Sequence, residues 1–144
     1  MQITKFSDFA MRILIHLAVE PEGRVSAREI AEQQGLSFNH LAKIAQWLAA
    51  EGYVTASRGR GGGMSLAMAA SEISVGKLLR KSEAGSALVE CMRCDGGSCV
   101  LTPACGLRPL LGEAQEAFFR VLDGKTLQDV LSRDGRMTPL VRSL

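Results

Sequence analysis

The chain has 144 residues and a formal net charge of +2, with 47% hydrophobic, 22% charged and 5% aromatic residues. These values exclude a disordered chain and leave room for one globular domain with an appended helical element. So few aromatics argue against an all-β sandwich, and so small a charge neither marks nor excludes a nucleic-acid binder, because binding follows how charge is distributed.

No apolar run approaches the roughly 18 residues that a membrane span needs. Residues 1–8 lack the basic-then-apolar order of a signal peptide. The expected location is the cytoplasm, with no membrane partner. Phe6, Ala10, Ile13, Leu14, Leu17 and Ala18 recur at helical spacing and predict a helix over 6–19, ended by Pro21-Glu22-Gly23. Ser26-Ala27-Arg28-Glu29 is a capping box. It opens a short helix that stops at Gly35, and Ser37 is expected to cap a further helix over 38–50, closed by Gly52. Helix, short turn and helix over 26–50 form a helix-turn-helix.

Residues 53–57 and 64–67 read as two short strands around the basic, glycine-rich tip Arg58-Gly59-Arg60-Gly61-Gly62-Gly63, a β-hairpin wing. Ser74 is placed to cap a helix over 75–82. The cysteine segment 91–105, with Gly96, Gly97 and Pro103, reads as a loop. Leu107, Leu110, Leu111, Ala114, Phe118, Val121 and Leu122 form one apolar stripe over 106–122, and Thr126 opens a short helix to about Leu131. The tail from Arg133 carries no assignable pattern. The fold class is mainly α with a small β-hairpin. A winged helix-turn-helix domain (1–82) precedes a cysteine loop (83–105), then a dimerisation helix and tail (106–144).

Recognition helices place their N-terminal side chains on base edges, which here are Ser37, Asn39 and His40, with Lys43 one turn on. Ser26 and Arg28 stand where a helix N-terminus attracts phosphate. Arg58 and Arg60 suit phosphate or the minor groove. Residues 1–70 hold seven Lys/Arg against six Asp/Glu, yet no acid falls between Glu51 and Glu72, so local concentration replaces bulk charge. A twofold operator calls for a homodimer, and Leu107, Leu110, Leu111, Ala114 and Phe118 are the expected interface. Trp47 reads as core or interface. A protein-interaction module is the competing use of the same helices.

All four cysteines lie in one window, spaced Cys91-x2-Cys94-x4-Cys99-x5-Cys105. In a reducing compartment such clustering points to metal or redox chemistry. The uneven gaps suit a loop wrapping an iron–sulfur cluster better than the paired knuckles of zinc, and zinc better than a redox pair, since Gly96-Gly97 rather than a helix follows Cys94. No nucleophile–base pair, phosphate loop or second cluster motif is present, so no enzyme is expected. A zinc-stabilised DNA-binding protein and an iron–sulfur electron carrier are the alternatives.

Several stretches resemble the winged-helix iron–sulfur repressors that include NsrR, IscR and RirA. They are residues 3–10 at the start, 37–44 in the recognition helix, 52–54 into the wing, 58–62 at its tip and 99–105 ahead of the long helix. Within that family, residues 39–44 and the aspartate of Phe6-Ser7-Asp8-Phe9 resemble the nitric-oxide-sensing NsrR branch. The histidine that IscR-like members carry after the third cysteine is absent. The resemblance implies three cysteine ligands, Cys91, Cys99 and Cys105, plus Asp8 from the other subunit, with Cys94 as the alternative ligand. It implies a [4Fe–4S] cluster, or a [2Fe–2S] one, a palindromic double-stranded operator and nitric oxide as signal. An iron-responsive regulator of the RirA or IscR kind is the alternative. Without the resemblance, Asp8 reads as a first-turn carboxylate that stabilises the helix dipole by roughly 0.3–1 kcal/mol.

Overall fold

The computed structural model describes residues 2–20, 23–57, 59, 62–133 and 135–144. Helix α1 (Lys5–Val19) is capped by Thr4, whose hydroxyl accepts from the Ser7 N–H. α2 (Ala27–Gln33) opens on the expected capping box, with Ser26 Oγ accepting from the Glu29 N–H at 3.1 Å and Glu29 accepting from the Ser26 N–H at 2.7 Å. Gly35 turns the chain at φ +63°. α3 (Phe38–Ala50) follows, and here one expectation fails: Ser37 holds the N-cap position but makes no side-chain capping bond, leaving its hydroxyl exposed.

The wing strands are β1 (Val54–Ser57) and β2 (Gly63–Leu66), antiparallel, with Val54 opposite Leu66 and Thr55 opposite Ser65. An isolated bridge between Val25 and Met64 pins the start of the helix-turn-helix to the wing, a pairing that sequence pattern does not reveal. α4 (Val75–Ser82) is capped by Ser74. The cysteine segment is more ordered than a plain loop, with 3-10 turns at Glu90–Met92 and Thr102–Ala104. α5 (Leu107–Asp123) and α6 (Leu127–Ser132) follow, α6 opening on a Thr126/Asp129 capping box. The tail read as patternless forms a last helix, α7 (Met137–Arg142), whose Val141 packs with Val19 and Leu131.

The main core joins Ile13, Leu14 and Leu17 of α1 to Ile30, Leu41, Leu48, Ile73, Leu78 and Leu127. Trp47 lies at its edge, with Phe6 against it edge-on at 5.1 Å. His16 is buried on α1, and its Nδ1 has no hydrogen-bond partner among the described residues. A second cluster joins Val75 and Leu79 of α4 to Phe119 of α5, with Phe118 and Leu122 beside them. α5 therefore has two apolar faces rather than one. Phe118 and Leu122 turn toward α4, while Leu107, Leu110 and Val121 are 59%, 61% and 69% exposed. Among the described residues no helix is long and apolar enough to cross a membrane.

Candidate DNA interface and metal centre

The recognition side of α3 presents Asn39, His40 and Lys43, all exposed. Lys43 lies four residues from Asn39 and three from His40, so the three share one helix face. Arg28 is held over the start of α3, its guanidinium carbon 4.6 Å from the centre of the Phe38 ring. Ser26 is differently placed. Its hydroxyl and N–H are both engaged by Glu29, whose carboxylate is held below the usual range chiefly by the Ser26 N–H. That carboxylate already occupies the α2 N-terminus and repels an incoming phosphate, so Arg28 is the phosphate-ready group of the pair. Arg58 and Arg60 lie outside the described residues. Arg24 was missed in the sequence: it donates to Ser57 Oγ on β1 and so links the strand to the segment before α2.

The cysteine segment has a neck and a tip. Glu90 Oε1 accepts from the Ser98 N–H at 3.0 Å and from the Ser98 hydroxyl at 2.6 Å. Those bonds hold the Glu90 carboxyl below its usual range, the hydroxyl contributing most. Gly97 packs directly on the Glu90 backbone, at φ +60°. The neck thus joins the residue before Cys91 to the residue before Cys99. Cys94 lies out on the exposed tip, between Arg93 and Asp95, which pair at 2.7 Å. Cys91 is buried, and Cys99 and Cys105 are half-buried. An open cleft of about 510 Å³ lies beside Cys105, lined also by Met92, Thr102, Arg108, Pro109 and Gly112.

These donors fit an iron–sulfur cluster in kind. All four thiols are free of disulfides, thiolate sulfur suits iron, and the cationic Arg108 lines the cleft beside Cys105. They do not close a site alone: among the described residues no three His, Cys, Asp or Glu side chains converge as a metal-binding group.

Asp8 stands apart from the cysteines, on the half-exposed side of α1. Both of its oxygens are taken by Arg12, one turn on, at 3.1 Å and 3.0 Å. Beside it lies a polar clamp that the sequence did not disclose. Glu83, the buried residue ending α4, accepts from the Thr4 N–H and the Thr4 hydroxyl, both at 2.8 Å, and from the Ser7 hydroxyl. Burial pushes the Glu83 carboxyl up, but the donors from Ser7, Thr4 and Ser86 outweigh it and hold the group below its usual range. The clamp fixes the start of α1 to the point where the chain leaves α4 for the cysteines.

The Rrf2 family profile, described as an iron-dependent transcriptional regulator, matches residues 3–133. The chain belongs to the Rrf2 family. The HTH-type transcriptional regulator NsrR of Geobacillus kaustophilus is 41% identical over 143 residues, covering 99% of this chain and 97% of that protein. NsrR of Bacillus subtilis is 39% identical, covering 99% and 98%. Among solved structures, CymR, the global cysteine regulator of B. subtilis, is similar at a TM-score of 0.72 and 27% identity, covering 92% of this chain and 98% of that one. T. potens IscR is similar at 0.71 and 27%, covering 92% and 88%. This Rrf2 protein is therefore a DNA-binding transcriptional regulator with the winged-helix fold, and not an enzyme.

Proposed function

We propose that this Rrf2 regulator is a homodimeric, cytoplasmic repressor whose hold on a palindromic operator is set by an iron–sulfur cluster responding to nitric oxide. The observation that carries the reading is the neck, which sets Cys91 and Cys99 at the two adjoining ends of one closed loop and carries Cys94 away from them on its exposed tip. Cys91, Cys99 and Cys105 hold the cluster, [4Fe–4S] in preference to [2Fe–2S], with Asp8 of the partner subunit as the fourth ligand. When bound, the cluster supplies iron that takes up nitric oxide.

The chain's own residues do the rest. Asp8 leaves or shares Arg12 to reach across the dimer, so the pair is the element that exchanges partners. A carboxylate is a weaker partner for iron than a thiolate, which makes it the ligand most readily lost. Its release would free the two protomers to shift. Asn39, His40 and Lys43, with Ser37, meet bases. Arg28, Arg58 and Arg60 meet phosphate. The exposed face of α5, Leu107, Leu110 and Ala114, meets its mate, with Leu111 and Phe118 at its inner edge. A coupling of about 1–3 kcal/mol changes operator affinity roughly 5–150-fold. The names of the relatives from G. kaustophilus and B. subtilis support the nitric-oxide reading. The family description, iron-dependent, favours iron status as the second reading.

The test titrates nitric oxide into protein purified without oxygen, following the visible spectrum and operator binding together. Affinity that stays constant while the cluster absorption collapses refutes the proposal; affinity that instead tracks iron supply favours the second reading. Cys91→Ala is expected to lose iron and sulfide while Cys94→Ala keeps them, and the reverse outcome reassigns the ligand.

A further inference from the structure

We propose that the apolar pair Val100–Leu101 of the cysteine loop seats in the groove between α1 and α3 of a second copy of this chain, and so links the loop to the partner's recognition helix. The inference rests on the cross-subunit role given to Asp8 above. Val100 is 88% exposed and Leu101 67%, an apolar pair with almost no cover from its own chain. The backbone that presents it is nonetheless fixed. The Thr102 hydroxyl donates to the Cys99 carbonyl at 2.8 Å, and the Ala104 N–H donates to the Leu101 carbonyl at 3.1 Å. Two apolar side chains on a built turn are the form of a knob.

The matching hole is a groove of about 260 Å³ lined by Lys5, Phe6, Phe9, His40, Lys43 and Ile44. Phe6 is braced from behind by Trp47 and Ile44 is buried, so the floor is preformed. No residue of the same chain's cysteine loop lines it.

Two observations name a second copy as the occupant. The first is position. Lys5 and Phe9 lie one turn apart on α1, and Asp8 lies between them in sequence, three residues from Lys5. Val100 and Leu101 lie between Cys99 and Cys105, and consecutive Cα atoms are about 3.8 Å apart. Any dimer that brings Asp8 to Cys99 and Cys105 of the partner therefore brings this pair to the α1 surface beside Asp8.

The second observation is charge. Among the described residues Lys5 and Lys43 make no ion pair, and both stand at the groove. Residues 98–106 carry no charged side chain except the cysteines, which are anionic as metal ligands. A cationic rim around an apolar floor meets an apolar knob flanked by anionic sulfur. His40 and Lys43 belong also to the face assigned to DNA, so the seated knob packs beside side chains that read the operator.

The experiment places the photo-cross-linking residue p-benzoylphenylalanine at position 101 of the full chain. The protein is prepared anaerobically as an equal mixture of 14N and 15N material, irradiated, and mapped by mass spectrometry. Expected is a mixed-isotope cross-link from position 101 to residues 5–9 or 40–44 of the other copy. Cross-links within one chain or to another surface, or none, in a sample that is dimeric by gel filtration, overturn the contact while leaving the dimer standing. A monomeric sample overturns the contact and the dimer reading together. As a second variant, V100S/L101S is expected to keep the helical circular dichroism of the folded chain, because both residues are exposed in the single protomer, and to weaken operator binding by about tenfold or more; unchanged binding overturns the proposal.

Discussion

Gly97→Ala tests whether the neck of the cysteine loop sets the metal centre. Gly97 has φ +60° and Gly96 φ +77°, so an alanine at either position costs about 1–2 kcal/mol for a left-handed L-residue. There the likeness ends. A Cβ at Gly96 meets nothing within 4 Å, whereas a Cβ at Gly97 falls 2.5 Å from the Glu90 carbonyl oxygen, 2.7 Å from its Cγ and 2.9 Å from its carbonyl carbon. Ordinary contacts between such atoms are about 3.5–4.0 Å. The neck must therefore open by about 1 Å, and most of what stands in the way is backbone. Opening it separates Glu90 from Ser98 and with them Cys91 from Cys99. Both variants are reconstituted anaerobically and assayed for iron, sulfide and visible absorption, with thermal unfolding as the control for the fold. Gly96→Ala is expected to keep most of its iron and Gly97→Ala to lose most of it, at similar unfolding temperatures. Equal iron in the two variants refutes the role of the neck.

Glu83→Gln removes an ionised acceptor for the donors of Thr4 and Ser7, and is expected to cost about 1.5–3 kcal/mol by denaturant unfolding at pH 7. Because the folded carboxyl titrates below its unfolded value of 4.5, its stabilisation is complete above that pH and is lost as the pH falls through the folded value, so the variant should show a shallower acid limb there. His16 has the opposite chemistry but the same direction. Burial lowers its pKa from 6.5, so the unfolded chain takes up a proton first and stability falls as the pH drops below about 6.5. His16→Leu should flatten stability between pH 6.5 and 5, and an unchanged slope would count against the burial. Lys43→Ala should weaken operator binding and, if Lys43 meets phosphate, reduce the slope of log K against log salt by about 0.9. An unchanged slope with altered sequence preference would assign it to bases.

What the sequence disclosed was local. The capping box at Ser26/Glu29 is a four-residue pattern and forms as read, and Thr126 opens α6 as expected, with Asp129 completing a second box. Thr4 caps α1 by the same kind of bond but pairs with a serine rather than an acid, so no box announces it. Periodicity found α5 but merged its two faces, because Leu110 and Phe118 share an apolar character and differ only in what lies opposite. α7 is six residues long, too short for a helical period to stand out, and it is held by Val19, more than a hundred positions away. The Glu83 clamp joins residues 79 apart, and nothing near Glu83 marks it as different from any acid at a helix end. The cysteine window was plain from composition, but its neck depends on Glu90 and Ser98, two ordinary polar residues.

The packing also bears on where a change in the cysteine loop can act. α4 is tied to the elements around it along its length. The Ser74 hydroxyl donates to the Asp123 carbonyl at 3.0 Å, and Gly76 lies so close to Asp123 that no side chain fits between them. Arg80 reaches Glu116 through two bonds of 2.7 and 2.8 Å and Asp123 at 2.9 Å, while Glu83 holds Thr4 and Ser7 of α1. α1, α4 and α5 therefore move as one body. The outer face of α5, the Val100–Leu101 turn and the Asp8 side of α1 all point away from the protomer's own core and are open to a partner. In the proposed dimer, a transfer of Asp8 from Arg12 to the cluster would thus change how two rigid bodies sit together rather than how either is folded. The lever is long. The 17 residues of α5 span about 25 Å, so a rotation of about 5° at one end displaces the other by about 2 Å. Hydrogen bonds to base edges keep their strength only within about 2.7–3.2 Å, so a shift of that size is enough to take both recognition helices out of register on an operator whose half-sites stay fixed.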